Sequence, residues 1–221
     1  MAADLSTWIR ETFHHDPQDL ASFERALTHG SQSALNYERL EFLGDRILGL
    51  LMARWLFVLF PDEPEGKLSR RLNALVSGGT CAEIGRAIGV PTHLRLGKQA
   101  RDDGASDSDN VLGDVVEALI GAVFLEGGLE AADRFVRSAW GDRVLQQQRA
   151  PLHPKSALQE WAAAHNRRPP VYEITNRAGP HHAPRFTITV TIKGAGEASA
   201  EGSSKQDAET AAARALLEKL Q

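Results

Sequence analysis

The sequence predicts two domains: an all-α domain over residues 1–148 and a small α+β domain of order α-β-β-β-α over residues 154–221, joined by a linker at 149–153. Three observations carry this prediction. Apolar residues recur at helical spacing through residues 1–145, with no alternating strand among them. Gln146-Gln-Gln-Arg-Ala-Pro-Leu-His-Pro154 then interrupts the pattern with polar residues and prolines. Beyond it, β-branched alternating runs lie between two helical segments.

The elements follow in order. Periodic apolar segments run near 5–13, 18–28, 37–60, 65–76, 79–88, 110–125 and 129–146, separated by breaks rich in Gly, Pro and Asp. Residues 98–110, KQARDDGASDSDN, are polar and are expected to form an exposed, mobile loop. In the second domain Pro154–His165 reads as a helix with proline in its first turn. Val171–Asn176 (VYEITN) and Arg185–Lys193 (RFTITVTIK) read as strands, and a shorter strand is expected over Gly196–Ala200. Alanine-rich Lys205–Leu220 closes the chain as a helix.

Composition narrows the function classes. With 42% hydrophobic and 24% charged residues the chain can build a packed core. The single cysteine, Cys81, excludes a disulfide framework and a cysteine-rich zinc site, and it favours a reducing, cytoplasmic setting. MAADLSTWIRETF carries acids and lacks the basic start and apolar run of a signal peptide. The most apolar stretch, Ile47 to Phe60, is interrupted by Arg54 and is short for a bilayer span, so no membrane partner is expected. The net charge of −4 divides unevenly, −6 over residues 1–150 and +2 over 151–221, which suggests two domains with different tasks.

The chemistry concentrates in two helical segments. In Tyr37–Leu50, YERLEFLGDRILGL, Glu38, Glu41 and Asp45 fall within a ~60° arc at about 100° per residue, bordered by Phe42 and Leu48 as expected core residues. In Val111–Leu125, VLGDVVEALIGAVFL, every residue except Asp114 and Glu117 is apolar or glycine. Two carboxylates at i, i+3 in a buried helix repel each other and resist desolvation. For such a pair alone, buried salt bridges or a protonated acid are the simpler account. Two acid faces on two apolar helices, with no basic residue between 111 and 125, favour a shared cation instead. All-oxygen ligands select Mg²⁺ or Mn²⁺ over zinc.

Other candidates read as structural. Asp62 and Glu65 have the spacing of a capping box, with Pro64 in the first turn. His14-His15-Asp16 is expected at the surface, His29 as a satisfied structural histidine, and Arg39 as a partner of neighbouring acids.

YERLEFLGDRIL closely resembles the signature of the ribonuclease III family, and LGDVVEALIGAVFLEGG resembles its second acidic segment. ALTHGS and PEGKLSRRLNALV are similar to its other landmarks, and the tail resembles a double-stranded-RNA-binding domain, with GPHHAPRFTITV and EGSSKQDAETAAARALL in the expected places. The resemblance covers nearly the whole chain.

It implies an all-α nuclease domain with Glu41, Asp45, Asp114 and Glu117 as metal-binding carboxylates. Asp45, Glu117, Glu38 and Glu65 would form the catalytic set, with Glu38 and Glu65 at outer positions that support the metal or contact the substrate. It adds a role for Glu65 beyond capping. In the tail it implies that Ser156, Gln159 and Glu160 contact the RNA minor groove, that His182 reaches a neighbouring minor groove, and that Lys205 grips phosphate. The implied activity is Mg²⁺-dependent hydrolysis of double-stranded RNA, with Mn²⁺ as a substitute. It would leave 5′-phosphate and 3′-hydroxyl ends with two-nucleotide 3′ overhangs. The implied enzyme is a cytoplasmic homodimer that processes ribosomal RNA precursors and structured mRNAs and takes no small-molecule substrate.

Two departures stand out. The tail's basic cluster is Ser203-Ser204-Lys205-Gln206 and not a run of lysines, and the 98–110 loop lacks the family's Gly-Gly-Arg character. The rival readings are a double-stranded-RNA-binding protein with an inert helical scaffold, and a helical Mg²⁺ enzyme acting on small diphosphates. The intact acids oppose the first and the tail opposes the second.

Overall fold

The structure is a computed structural model that describes residues 5–147, 150–151, 153–178 and 184–220. The chain divides into two compact units, Met1–Pro151 and Leu152–Gln221. The expected linker contains residues outside the described set, and so does His182.

The first unit is helical: α1 (Leu5–Phe13), α2 (Ala21–Ala26), α3 (Glu38–Leu59), α4 (Glu65–Leu75), α5 (Gly78–Ala87), α6 (Lys98–Asp102) and α7 (Asp109–Gln146). The α7 run changes direction at Gly128, whose φ of 70° and ψ of −174° lie outside helical values. That break matches the gap between the two periodic segments, and glycine is the residue that accepts positive φ. The apolar faces of α1, α3, α5 and α7 meet in one core that includes Phe13, Phe23, Leu48, Met52, Leu119 and Trp140, with the Trp140 indole donating to the Leu75 carbonyl at 2.7 Å. No helix of the described residues is long and apolar enough to cross a membrane.

Several local expectations are corrected here. Phe42 is 65% exposed and not in the core. With Leu50 and Phe57 it forms an apolar stripe within about an 80° arc of α3, at 100° per residue, facing away from the unit's own core. The 98–110 segment is exposed but folded, as α6 and a 3₁₀ turn at Ala105–Asp107. Arg86 fixes it, reaching Asp107 Oδ1 at 2.7 Å, the Asp107 carbonyl at 2.8 Å and Asp109 Oδ1 at 2.6 Å. The Asp62 capping box does not form. α4 starts at Glu65 behind Pro64 with no side-chain cap, and the Glu65 carboxylate accepts the Ser69 hydroxyl at 2.6 Å. His15 is not a surface residue, because it pairs with Glu126 at 2.5 Å with only 13% of its side chain exposed. Glu126 also accepts the Gln18 and Asp19 amides, so this carboxylate ties the α1–α2 connection to α7.

The second unit packs α8 (Pro154–Ala164) and α9 (Lys205–Leu220) on a three-stranded antiparallel sheet of order β1-β2-β3, formed by Val171–Ala178, Arg185–Ile192 and Gly196–Gly202. Register pairs Ile174 with Ile188 and Val190 with Ala198. Phe186, Ile188, Val190 and Ile192 alternate inward along β2 against Leu158, Ala162, Ala208, Ala212 and Leu216 of the helices. The small alanines let α9 lie close to the sheet. The Ser203–Ser204 departure has a structural reason. The Ser204 hydroxyl accepts the Asp207 amide at 3.1 Å and so caps α9, and the Ser203 hydroxyl braces that turn by donating to Asp207 Oδ2 at 2.9 Å.

Candidate active site and nucleic-acid interface

The acid segments meet because α3 and α7 cross backbone to backbone. A Cβ on Gly44 would stand 1.7 Å from the Glu117 carbonyl oxygen, and one on Gly121 would stand 2.5 Å from the Leu40 carbonyl oxygen. Only residues without a side chain permit that approach. It sets Glu41 and Asp45 of α3 against Asp114 and Glu117 of α7.

The electrostatics follow from this placement. Burial first, then the charges of Asp45, Glu41 and Asp114, push the Glu117 carboxyl up to about 8. Burial and the Asp114 and Asp45 charges also raise Glu41, and burial raises Asp114. Glu117 and Glu41 therefore resist ionising through burial and neighbouring charge, and Asp114 through burial. Asp45 is turned toward the neighbouring guanidinium of Arg46, a partner of largely exposed side chain. Tyr37 lies behind Asp114, its hydroxyl 3.5 Å from Oδ2, and burial followed by the Asp114 charge pushes the phenol up to about 12. Cys81 closes the floor, with Sγ 3.9 Å from Glu117 Oε1. Burial and then the Glu117 charge push its thiol up to about 12.

Glu38 is exposed at the start of α3, where its charge acts on Glu41 and Tyr37. Glu65 stands apart, among its own turn of α4. Among the described residues no three His, Cys, Asp or Glu side chains already form a metal cage. The only ion pair on the four carboxylates among the described residues is that of Arg46 with Asp45. The donor set still fits a hard cation: all ligand atoms are carboxylate oxygens, the acids are half-buried, and the one nearby base contacts Asp45 from outside.

The remaining candidates are placed as follows. His29 is satisfied by its own turn, with Nδ1 accepting the Ser31 amide at 3.0 Å and lying 2.7 Å from the Ser31 hydroxyl. Arg39 forms no ion pair among the described residues, and the pairing expected of it belongs to Arg46. Tyr37, Arg46 and Cys81 were not singled out as site residues from sequence. Arg46 follows Asp45 directly and was legible in principle, whereas Tyr37 and Cys81 reach the acids only through the helix crossing.

In the second unit, Ser156 and Gln159 of α8 face Lys205 and Gln206 of α9 across a pocket of about 560 Å³. Glu160 is exposed one position further along α8. Among the described residues Lys205 forms no ion pair, whereas Lys155 in the same pocket is bound to Glu209 at 2.5 Å.

Comparison with known proteins agrees with both units. Residues 19–144 match the family described as Ribonuclease-III-like, and residues 154–220 match the double-stranded RNA binding motif. Ribonuclease 3 of Zymomonas mobilis is 66% identical over 212 residues, covering 96% of this chain and 86% of that protein. Ribonuclease 3 of Brucella canis is 46% identical, covering 95% of this chain and 86% of that protein. Among solved structures, the nuclease domain of ribonuclease III from Campylobacter jejuni superposes with a TM-score of 0.60 at 30% identity, covering 63% of this chain and 96% of that one. A second structure of that domain, described for flexibility in a region involved in dimer formation, gives 0.58 at 31% identity, covering 61% and 97%. This chain belongs to the ribonuclease III family of double-stranded-RNA endoribonucleases, with a helical nuclease domain followed by a double-stranded-RNA-binding domain.

Proposed function

We propose that the chain is a Mg²⁺-dependent endoribonuclease, with Mn²⁺ as a substitute, that hydrolyses both strands of duplex RNA to 5′-phosphate and 3′-hydroxyl ends with two-nucleotide 3′ overhangs. The observation that carries this reading is the crossing of α3 and α7 at Gly44 and Gly121, which gathers four carboxylates with no interior base. Glu41, Asp45, Asp114 and Glu117 would hold the cation. When bound, that ion neutralises phosphate charge, activates water for attack and stabilises the departing 3′ oxygen.

The protein's own groups prepare the site. Burial behind Glu117 excludes bulk water from one side of its carboxyl and pushes it up to about 8, so its charged form would gain from a cation held there. The Tyr37 hydroxyl orients Asp114. Arg46 holds Asp45 toward the site's outer edge. Glu38, exposed beside the cluster, and Glu65, on a separate helix, are assigned to substrate or the outer cation environment on family resemblance.

Dimerisation is supported by the exposed stripe of Phe42, Leu50 and Phe57, which no element of the described chain covers. The domains are assigned as 1–148 and 154–221, with the second binding duplex RNA through Ser156, Gln159, Glu160 and Lys205. His182 is assigned on family resemblance alone. Ribosomal RNA precursors and structured mRNAs in the cytoplasm are the proposed substrates. The test maps both strands of a defined duplex after cutting. Staggered ends with 5′-phosphates support the reading, and 5′-hydroxyl ends would show that the ribose 2′-hydroxyl, and not water, attacks.

A further inference from the structure

Two lysines enter the pocket between α8 and α9, and they differ in state. Lys205 opens α9 with its ammonium free of ion pairs among the described residues. Lys155, in the first turn of α8, is held twice. Its Nζ lies 2.5 Å from Glu209 Oε2 and 5.0 Å from the centre of the Tyr172 ring. Both side chains of the ion pair are about one-third exposed or less, so water screens this pair less than a fully exposed one. The Glu209 charge also reaches Tyr172, whose phenol is pushed up to about 12 by burial first and that charge second. Glu209 stands four residues beyond Lys205 on α9, yet it pairs across the pocket with Lys155.

We propose that Glu209 limits the duplex affinity of this domain by holding the Lys155 ammonium in an internal ion pair and away from RNA phosphate. This rests on the assignment of the pocket's rim, Ser156, Gln159 and Lys205, as the RNA-binding face. Phosphate affinity follows the number of cations that displace condensed counterions. A lysine neutralised by a neighbouring carboxylate displaces none. The pocket therefore presents two lysines and delivers the counterion release of one. The physical consequence is a binding domain whose hold on duplex is weak and whose salt dependence is shallow, so that stable engagement depends on the nuclease unit as well.

The test uses the full chain carrying Glu117→Gln in chelator, so that RNA is not cut, titrated with one 20-base-pair duplex at several salt concentrations. Glu209→Gln is expected to bind about fivefold tighter at 0.15 M salt and to steepen the log–log salt slope by about 0.9, by analogy with DNA. Lys155→Met is expected to leave the native slope unchanged and to abolish the gain in the Glu209→Gln background. Lys205→Ala serves as the control for the face itself. If Lys205→Ala weakens binding while Glu209→Gln changes neither affinity nor slope, the proposal is overturned and the RNA-binding face stands. If neither variant moves the slope, the assignment of the face fails and the proposal with it. Should Glu209→Gln lose the fold by circular dichroism, Lys155→Met alone decides: a slope shallower by about one in the otherwise native domain means that Lys155 already grips phosphate, which overturns the proposal.

Discussion

Glu117→Gln separates a cation ligand from a structural acid through stability as well as activity. Between its ordinary value of 4.5 and about 8, the native Glu117 holds a proton that the unfolded chain releases. A group whose folded value is raised stabilises the protein less as pH rises, because the native state then binds more protons than the unfolded state. The slope is about 1.4 kcal/mol per pH unit, and the whole interval corresponds to about 5 kcal/mol. Solvent reaches this half-buried carboxyl, so the expected loss is about 2–3 kcal/mol between pH 5 and pH 8.5. The amide carries no such titration. In chelator at pH 8.5 the variant should therefore be the more stable protein by about 2–3 kcal/mol, and at pH 5 the two should agree within about 0.5 kcal/mol. Urea unfolding followed by tryptophan fluorescence reads this, since three of the four tryptophans, Trp8, Trp55 and Trp140, lie in the nuclease unit. With urea slopes of about 1–3 kcal/mol/M for small domains, the midpoints at pH 8.5 should differ by about 1 M. Mg²⁺ should raise the native protein's midpoint at pH 8.5 and leave the variant's nearly unchanged. A variant less stable than the native protein at pH 8.5 would show that Glu117 serves an internal ion pair, and the reasoning would be refuted.

Four further outcomes are expected. Gly44→Ala forces a methyl against the Glu117 carbonyl oxygen, so the nuclease unit should lose about 3 kcal/mol or more in urea unfolding; a loss under about 1 kcal/mol would mean that the helices part easily. Phe57→Glu touches no core residue, so the chain should stay folded but sediment as a monomer and cut duplex slowly, whereas a folded dimer would place the interface elsewhere. A fragment of residues 1–148 should remain dimeric and cut duplex RNA at low salt, and a folded monomer by sedimentation contradicts this. Ca²⁺, which accepts longer bonds and looser geometry than Mg²⁺, should support RNA binding without efficient cleavage; vigorous cutting in Ca²⁺ alone would show that tight octahedral placement is not required.

Helices were legible wherever one apolar face repeats over several turns. The 37–60 and 65–76 periods became Glu38–Leu59 and Glu65–Leu75, because each buries such a face against α7 or its neighbours. The break between 125 and 129 was equally legible, since Gly127-Gly128 disfavours helix and Gly128 adopts positive φ. Phe42 was misread because periodicity reports that a face is apolar and not what covers it. Local pattern failed at Asp62 and His15 for a related reason. Pro64 starts α4 without a side-chain cap, and the Glu126 carboxylate that takes His15 lies 111 residues away. The acids of α3 and α7 announced themselves by being polar among apolar neighbours. Their meeting point depends on Gly44 and Gly121, whose contacts no spacing within one helix reveals. The ion pair of Lys155 with Glu209 was invisible for the same reason, as it forms between two helices.

The most direct test of the central claim, that the carboxylates at the α3–α7 crossing form a cation-dependent duplex-cutting site, is a cleavage time course on a long perfect RNA duplex with the purified full chain. The native protein in Mg²⁺ should reduce the duplex to short fragments and leave a single strand of the same sequence intact. The native protein in chelator, and Glu117→Gln in Mg²⁺, should bind the duplex and fail to cut it. Cleavage in chelator, or undiminished cleavage by Glu117→Gln, would contradict the account.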